Sequence, residues 1–273
     1  MPLSHFACAN CGFWQLHFAP PDCPVCTDVR NDLPADGWRF LPEAKVAATH
    51  AGTAREIAPG LWAFTTTPAL GLAGTGWLLI RPEGNVAFEA APYYSDAMLE
   101  QIAALGGITT LAASHVHGYG ALFQLQREFE PARVAIAVAD LQLTKAFAVT
   151  APYDDRFEVA PDLTLHRVGG HYPGQAVLHD ATNQRLFCGD MFKVEQQDGV
   201  SHALSSHWAF HKQIPLTHAQ LRQYRDAIAP LDFEAILTPF EYAPEIGRAV
   251  ALQALDEALA RPPGIHQFPV ARP

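Results

Sequence analysis

The chain has 273 residues, of which 49% are hydrophobic, and it carries a formal net charge of -10. This composition excludes a largely disordered chain and predicts one α/β domain with a small appendage. The charge argues against nucleic acid or an anionic membrane as the partner, and no stretch reaches the roughly 18 apolar residues of a membrane span or resembles a signal peptide.

These properties lead us to expect a cytoplasmic protein whose partner is a small-molecule substrate or ligand. They leave its oligomeric state open.

Two Cys-x-x-Cys pairs lie near the start of the chain, separated by eleven residues. Their members are Cys8, Cys11, Cys23 and Cys26. Two such turns supply the four thiolates of a closed tetrahedral site, which is typical of structural zinc. Iron accepts the same ligands, and disulfides or free thiols are the alternative without a metal. We predict a zinc ribbon over residues 1–33, a segment too small to fold without its metal.

A polar, proline-containing linker at 31–42 leads into a second region, which we place at 34–273. Its first half has patterns of strands and helices in alternation. The predicted strands are 61–66, 76–80, 85–89, 110–114 and 134–138, and the predicted helices are 95–105, capped by Ser95, and a segment around 122–129.

The second half repeats this kind of organisation without a detectable sequence repeat. The predicted strands are 163–168, 175–179, 185–188 and 234–238, and the predicted helices are one capped by Thr217 and one carrying apolar positions from 246 to 259. Cys188 lies in an apolar strand, where we expect it to be buried. Hairpins followed by β–α units in two halves predict an α+β fold of two packed sheets with helices outside.

Polar side chains of metal-ligand type stand at the ends of three predicted strands. They lie in the segments SHVHGYG (His115 and His117), GGHYPG (His171) and FCGD (Asp190). His115 and His117 are two residues apart, so their side chains share one side of an extended backbone. Imidazoles and a carboxylate at strand ends predict a site for a borderline ion such as zinc.

The order of these motifs resembles the metallo-β-lactamase superfamily over roughly residues 57–261. The resemblance implies an αββα sandwich with a metal site at the edge between its sheets. It also implies that His115, His117 and His171 are metal ligands and that Asp190 is the carboxylate that bridges two metals in active members.

The chain departs from this family where the second metal is held. Tyr119 and Gly120 stand in place of the Asp and His that complete the HxHxDH motif, and the expected final histidine is replaced by the segment Thr238-Pro239-Phe240-Glu241. A two-metal mechanism is therefore unsupported. The remaining set suits one zinc or iron ion, or an empty site.

Three residues are candidates for catalysis. Asp190 would share the metal, and Tyr119 would contact the bound water or ligand, although its high unperturbed pKa makes it a poor base. Glu241 is the better substitute carboxylate, because it lies near the position of the missing final histidine.

Three further histidines, His202, His207 and His211, lie between residues 201 and 215. His207 and His211 are four apart and would form a metal pair on a helix. Their aromatic neighbours Trp208 and Phe210 favour an ordered loop or short helix that covers the site.

These features support three hypotheses. The first is a metallohydrolase acting on a small ester, thioester, lactone or phosphoester. The second is a non-catalytic binding or sensing protein with a structural zinc ribbon. The third is a redox protein with iron at both sites.

Overall fold

A computed structural model describes residues 2–270, which form two compact units divided between Pro152 and Tyr153. Both units contain strands and helices, so the predicted α+β class is confirmed. None of the helices in this described part is long and apolar enough to cross a bilayer. The predicted boundary after residue 33 lies inside the first unit and stays a prediction.

The first unit is built on two sheets. Its strands are β1 (Ser4–Cys8), β2 (Trp14–His17), β3 (Phe40–Pro42), β4 (Ala51–Ala58), β5 (Leu61–Thr67), β6 (Gly76–Leu79), β7 (Val86–Phe88), β8 (Thr110–Ala112) and β9 (Arg133–Ala135). Its helices are α1 (Glu43–Thr49), α2 (Asp96–Ala104) and α3 (Leu122–Phe129). Strands β2, β1 and β3 form a small antiparallel sheet, and β4 to β9 form a six-stranded sheet in sequential order.

The six-stranded sheet changes direction part-way across. Strands β4 to β7 are antiparallel, whereas β7, β8 and β9 run parallel and are joined through α2 and α3. Because parallel strands end at the same edge of a sheet, the residues that follow β7 and β8 lie side by side. This edge carries the segment that contains His115 and His117.

The small sheet is attached to the helices of the first unit by an ion cluster. The Glu43 carboxylate in α1 lies 3.6 Å from His5 Nδ1 in β1 and accepts a 2.8 Å hydrogen bond from Arg127 in α3. The nearby His5 ring, together with Arg127, lowers the pKa of Glu43 to about 2. The cluster therefore links three elements that are distant in sequence.

The second unit has one large and two small sheets. Its strands are β10 (Arg156–Ala160), β11 (Leu163–Arg167), β12 (Ala176–Asp180), β13 (Arg185–Phe187), β14 (Lys193–Gln197), β15 (Val200–Ser205), β16 (His207–Ala209), β17 (Ile214–Pro215), β18 (Ala235–Leu237), β19 (Tyr242–Ala243) and β20 (Phe268–Pro269). Its helices are α4 (His218–Ile228) and α5 (Arg248–Ala260). The sheet orders are β10-β11-β12-β13-β18-β19, β14-β15-β20 and β16-β17.

The large sheet of the second unit, like that of the first, joins antiparallel strands to a parallel pair, but its edge strand β19 is antiparallel to β18. Antiparallel strands β10 to β13 are followed by β18, which runs parallel to β13. The core of this unit includes Val177, Leu186, Tyr224 and Ile236, which are fully buried. Cys188 is buried with them, as its apolar neighbours predict.

One prediction in this unit is wrong. The region from 201 to 215 was expected to be a loop or short helix, but it contains strands β15, β16 and β17. His207 lies in β16 and His211 in the turn that follows, so the two histidines do not share a helix face. The local sequence misleads here because β15 is held by β14 and β20, its partners on either side.

Candidate metal centres

The four cysteines of the ribbon lie together in the first unit. The Sγ atoms are 3.9 Å apart for Cys8 and Cys26 and 3.6 Å apart for Cys11 and Cys23. All four lie within 4.8 Å of one another. Two thiolates on one tetrahedral ion, each at about 2.3 Å, are separated by about 3.8 Å, whereas a disulfide joins its sulfurs at about 2.05 Å. The cluster therefore fits a metal ion and not two disulfides.

Short turns aim these thiolates at one point. Gly12 N donates a 2.8 Å hydrogen bond to Cys8 O and closes the first turn, and Thr27 N donates to Cys23 O at 3.0 Å in the second. The Asn10 side chain donates to Cys26 Sγ at 3.2 Å. Hydrogen bonds of this kind stabilise a thiolate, which is the form that binds a metal.

The first histidine pair follows strand β8. His115 Nε2 lies 3.3 Å from His117 Nδ1, and the other His115 nitrogen is 2.8 Å from Ser114 Oγ. Two imidazole nitrogens on one tetrahedral ion, each at about 2.05 Å, are separated by about 3.4 Å. The pair thus has the spacing of two ligands of one ion, and the Ser114 hydroxyl fixes the orientation of the His115 ring.

A buried carboxylate that the sequence reasoning missed supports this pair. Glu89 follows β7, is only 1% exposed, and has φ of 60°. It accepts a hydrogen bond from Ser114 N at 3.4 Å, and a Cβ added to Gly118 would lie 1.4 Å from its Oε2 atom. Glu89 therefore holds the turn that carries His115 and His117. The feature of the sequence that could have identified Glu89 is a carboxylate at the end of an apolar strand.

The second pair, His171 and Asp190, lies in the second unit. His171 follows β11 and Asp190 follows β13, and both side chains are buried. His171 Nε2 is 3.4 Å from Asp190 Oδ2. His171 N donates to the Tyr224 hydroxyl at 2.9 Å, which fixes the backbone at this residue.

The tautomer of His171 favours a cation between the two groups. Its Nδ1 lies 3.3 Å from the carbonyl oxygen of His207, which accepts a proton and donates none. When Nδ1 is the protonated nitrogen, Nε2 presents a lone pair to the Asp190 carboxylate. Two electron-rich atoms at this distance are compatible only with a proton or a metal ion between them.

The His207 side chain is a buried neighbour of this pair. Its Nε2 is 2.9 Å from Ser205 Oγ, and burial, aided by Lys193, lowers its pKa to about 4. The Phe210 ring stacks on His171 at 5.1 Å and contacts His207 edge-on at 5.0 Å. His202 and His211 are exposed.

Glu241 lies in a tight turn after β18. Thr238 Oγ1 donates to its carboxylate, and Glu241 N donates to the same hydroxyl oxygen at 2.9 Å. Burial raises the pKa of Glu241, and the Asp190 carboxylate acts in the same direction. Glu241 is therefore close enough to Asp190 for the two charges to interact.

Comparisons with known proteins identify a relative by sequence and several neighbours by structure. No family model matches the chain. An uncharacterized Bacillus subtilis (strain 168) protein, YmaE, is 24% identical over 253 residues, which cover 87% of this chain and 89% of that protein.

Three metallo-β-lactamases of known structure are also similar. FIM-1 from Pseudomonas aeruginosa in its mono-zinc form is 13% identical over 77% of this chain and 97% of its own, with a TM-score of 0.54. The metallo-β-lactamase from Hirschia baltica is 15% identical over 78% of this chain and 99% of its own, with a TM-score of 0.55. The one from Pontibacter korlensis is 14% identical over 75% of this chain and 99% of its own, also with a TM-score of 0.55. The chain has the metallo-β-lactamase fold. At these identities the likeness shows the fold alone.

Within this metallo-β-lactamase fold, the backbone at Gly120 leaves no room for a metal-ligating side chain. Gly120 has φ of 38°, and a Cβ added there would lie 2.2 Å from Ala90 O and 2.6 Å from Ala91 O. A histidine at this position would therefore require the backbone to move. Tyr119 beside it is buried, with its ring edge-on to Phe147 at 5.3 Å, and its predicted contact with a bound water stays a prediction.

Proposed function

We propose that this protein is a metal-dependent hydrolase-like member of the metallo-β-lactamase fold. In this proposal, one zinc or iron ion is held by His115, His117, His171 and Asp190, and the substrate is a small ester, thioester, lactone or phosphoester. The observation that carries the proposal is the geometry of the two pairs, in which His115, His171 and Asp190 are buried. Their ligand atoms are separated by 3.3 Å and 3.4 Å, close to the edge of a tetrahedron around one ion.

The surroundings of both pairs support a metal role. The hydroxyl of Ser114 and the carbonyl of His207 meet the second nitrogens of His115 and His171, which is the outer-shell arrangement that fixes the rings of metal-bound histidines. A bound metal would acidify a water molecule and polarise a carbonyl or phosphoryl oxygen. Histidine and carboxylate ligands suit zinc and iron alike, so the identity of the ion is open.

A single ion fits this chain better than two. Gly120 stands where the resemblance expects a histidine, and a Cβ added there would lie 2.2 Å and 2.6 Å from two carbonyl oxygens. The segment after β18 carries Thr238 and Glu241 in a closed hydrogen-bonded turn in place of the final histidine. FIM-1, one of the solved neighbours, is described in a mono-zinc form.

Three side chains are proposed to act on the substrate side. Asp190 shares the metal, and Tyr119 lies in the loop of residues 115–120 after β8, which we call the histidine loop. Glu241 is the proposed proton carrier, because it is a carboxyl group close to Asp190 and burial raises its pKa. The charge of -10 supports a small-molecule partner over nucleic acid or a membrane, and a cytoplasmic location belongs to the same proposal.

Metal content tests this proposal. Elemental analysis of the purified protein should give about two metal ions per chain, one for each site. His115→Ala and His171→Ala should each lower the content to about one, because both remove a ligand of the same ion. His202→Ala is the matched control, since this imidazole is exposed and belongs to neither pair. A content of one that neither substitution changes contradicts the proposal.

A measurement of activity distinguishes the hydrolase from a non-catalytic binding or sensing protein. The second alternative is also favoured by Gly120, where the backbone leaves no room for a side chain. The wild-type protein should hydrolyse at least one member of a panel of esters, thioesters, lactones and phosphoesters, and His171→Ala should abolish this activity. Two metals per chain with no turnover on the panel would favour the binding protein.

A further inference from the structure

The ribbon packs against the helix that follows the histidine loop. The His5 ring in β1 stacks on Phe123 at 3.9 Å, and the Trp14 ring in β2 lies 5.0 Å from the same phenyl ring. Phe123 is the second residue of α3, and the His115–Gly120 segment ends just before this helix. The first turn of α3 therefore rests on two ribbon side chains.

A hydrogen-bond route joins Trp14 to the histidine loop itself. The buried Trp14 indole donates to Pro92 O at 2.7 Å. The residues just before Pro92 are bonded to the loop, because Ala90 N donates to Gly118 O and Ala121 N donates to Ala91 O, both at 2.9 Å. The segment 90–92 thus lies between the indole and the loop.

A second route runs through the segment 145–148. Leu16 N in β2 donates to Lys145 O at 2.9 Å, and His5 Nε2 donates to Ala146 O at 3.1 Å. The next residue, Phe147, contacts the Tyr119 ring edge-on. The ribbon strands therefore hold a segment that packs on the histidine loop from another side.

We propose that Trp14 and His5 are positioning residues for the His115–Gly120 loop, so that the metal in the four-cysteine site and the histidine pair are energetically coupled. The cysteine-bound ion holds the β1–β2 hairpin, the hairpin holds the segments 90–92 and 145–148, and these segments hold the loop. Coupling of this kind is reciprocal, so an ion on the histidine pair stabilises the ribbon to the same extent. This inference rests on the proposed function only in taking His115 and His117 as ligands.

The test removes the N–H donor of the indole and keeps an aromatic ring at position 14. In Trp14→Phe, backbone amide exchange over 115–121 should rise about fivefold, the equivalent of one lost hydrogen bond, while exchange over α2 stays unchanged. Trp38→Phe is the matched control, because the Trp38 ring lies next to Phe40 in the segment after the ribbon and outside both routes. Equal exchange over 115–121 in the two variants would overturn the inference.

A metal readout distinguishes positioning from general destabilisation. With zinc in the cysteine site and cobalt in the histidine site, Trp14→Phe should shift the cobalt absorption band and weaken cobalt binding about fivefold, whereas Trp38→Phe should change neither. An unchanged band and affinity in Trp14→Phe would count against the inference. If wild-type histidines bind no metal, the proposed function fails, and the exchange experiment still decides the positioning role.

Discussion

Individual residues show which parts of the site a sequence can reveal. His115, His117, His171 and Asp190 were recognisable because each is a ligand-type residue in a glycine-containing segment at the end of an apolar strand. Glu89 was not, although it touches the same turn, because its role depends on the closeness of Gly118. Residue identity thus indicates the candidate ligands, and only contacts indicate what orients them.

Gly120 offers a test at this scale. Gly120→Ala should lower the free energy of unfolding by about 3 kcal/mol, because the new Cβ meets two carbonyl oxygens in addition to the strain of a positive φ. Urea denaturation measures the change. The control is Gly37→Ala in the same unit, where φ is 78° and no atom lies within 4 Å of the added Cβ. This control should cost about 1 kcal/mol, and equal losses in the two variants would contradict the explanation.

At the scale of elements, helices were easier to predict than short strands. Ser95 and Thr217 were both expected to begin helices, and α2 and α4 start one residue after them. Thr217 forms a reciprocal capping box with Gln220, whereas the Ser95 side chain makes no capping hydrogen bond. The strands between 200 and 215 escaped prediction because a short strand depends on partners elsewhere in the chain.

The two caps give a matched pair of substitutions. Thr217→Ala should lower the free energy of unfolding by about 1 kcal/mol, because the amide of Gln220 loses its acceptor. Ser95→Ala should change it by much less, since no capping bond is lost. Chemical denaturation of both variants checks the difference. A loss for Ser95→Ala as large as that for Thr217→Ala would contradict this account of the two helix starts.

At the scale of the whole molecule, the fold class followed from the order of elements in two halves. Each half proved to be a compact unit whose large sheet joins antiparallel strands to a parallel pair. Hairpins and β–α units leave local patterns, so this plan was visible in the sequence. The attachment of the ribbon left no such pattern, because it depends on contacts such as that between Trp14 and Pro92.

The cysteines allow a prediction for the stability of the whole chain. Cys23→Ser should remove one metal ion per chain and lower the free energy of unfolding by about 3 kcal/mol or more, because the ribbon depends on its ion. Cys188→Ser is the control, since burial raises the pKa of this thiol and keeps it protonated. Metal analysis should show an unchanged metal content in this control. Denaturation should show a smaller loss in the free energy of unfolding than for Cys23→Ser. Equal metal content in the two variants would exclude the cysteine site.

The sequence by itself determined the four-cysteine motif, the candidate ligands His115, His117, His171 and Asp190, and the α+β class. These depend on residue type and short-range spacing, which a single chain displays directly. Only the tertiary structure decided that Glu89 supports the turn carrying His115 and His117, and that Gly120 has no room for a side chain. It also decided that Trp14 joins the ribbon to Pro92, in the segment bonded to that turn. Each of these depends on the close approach of segments far apart in sequence, and local periodicity carries no record of such distances.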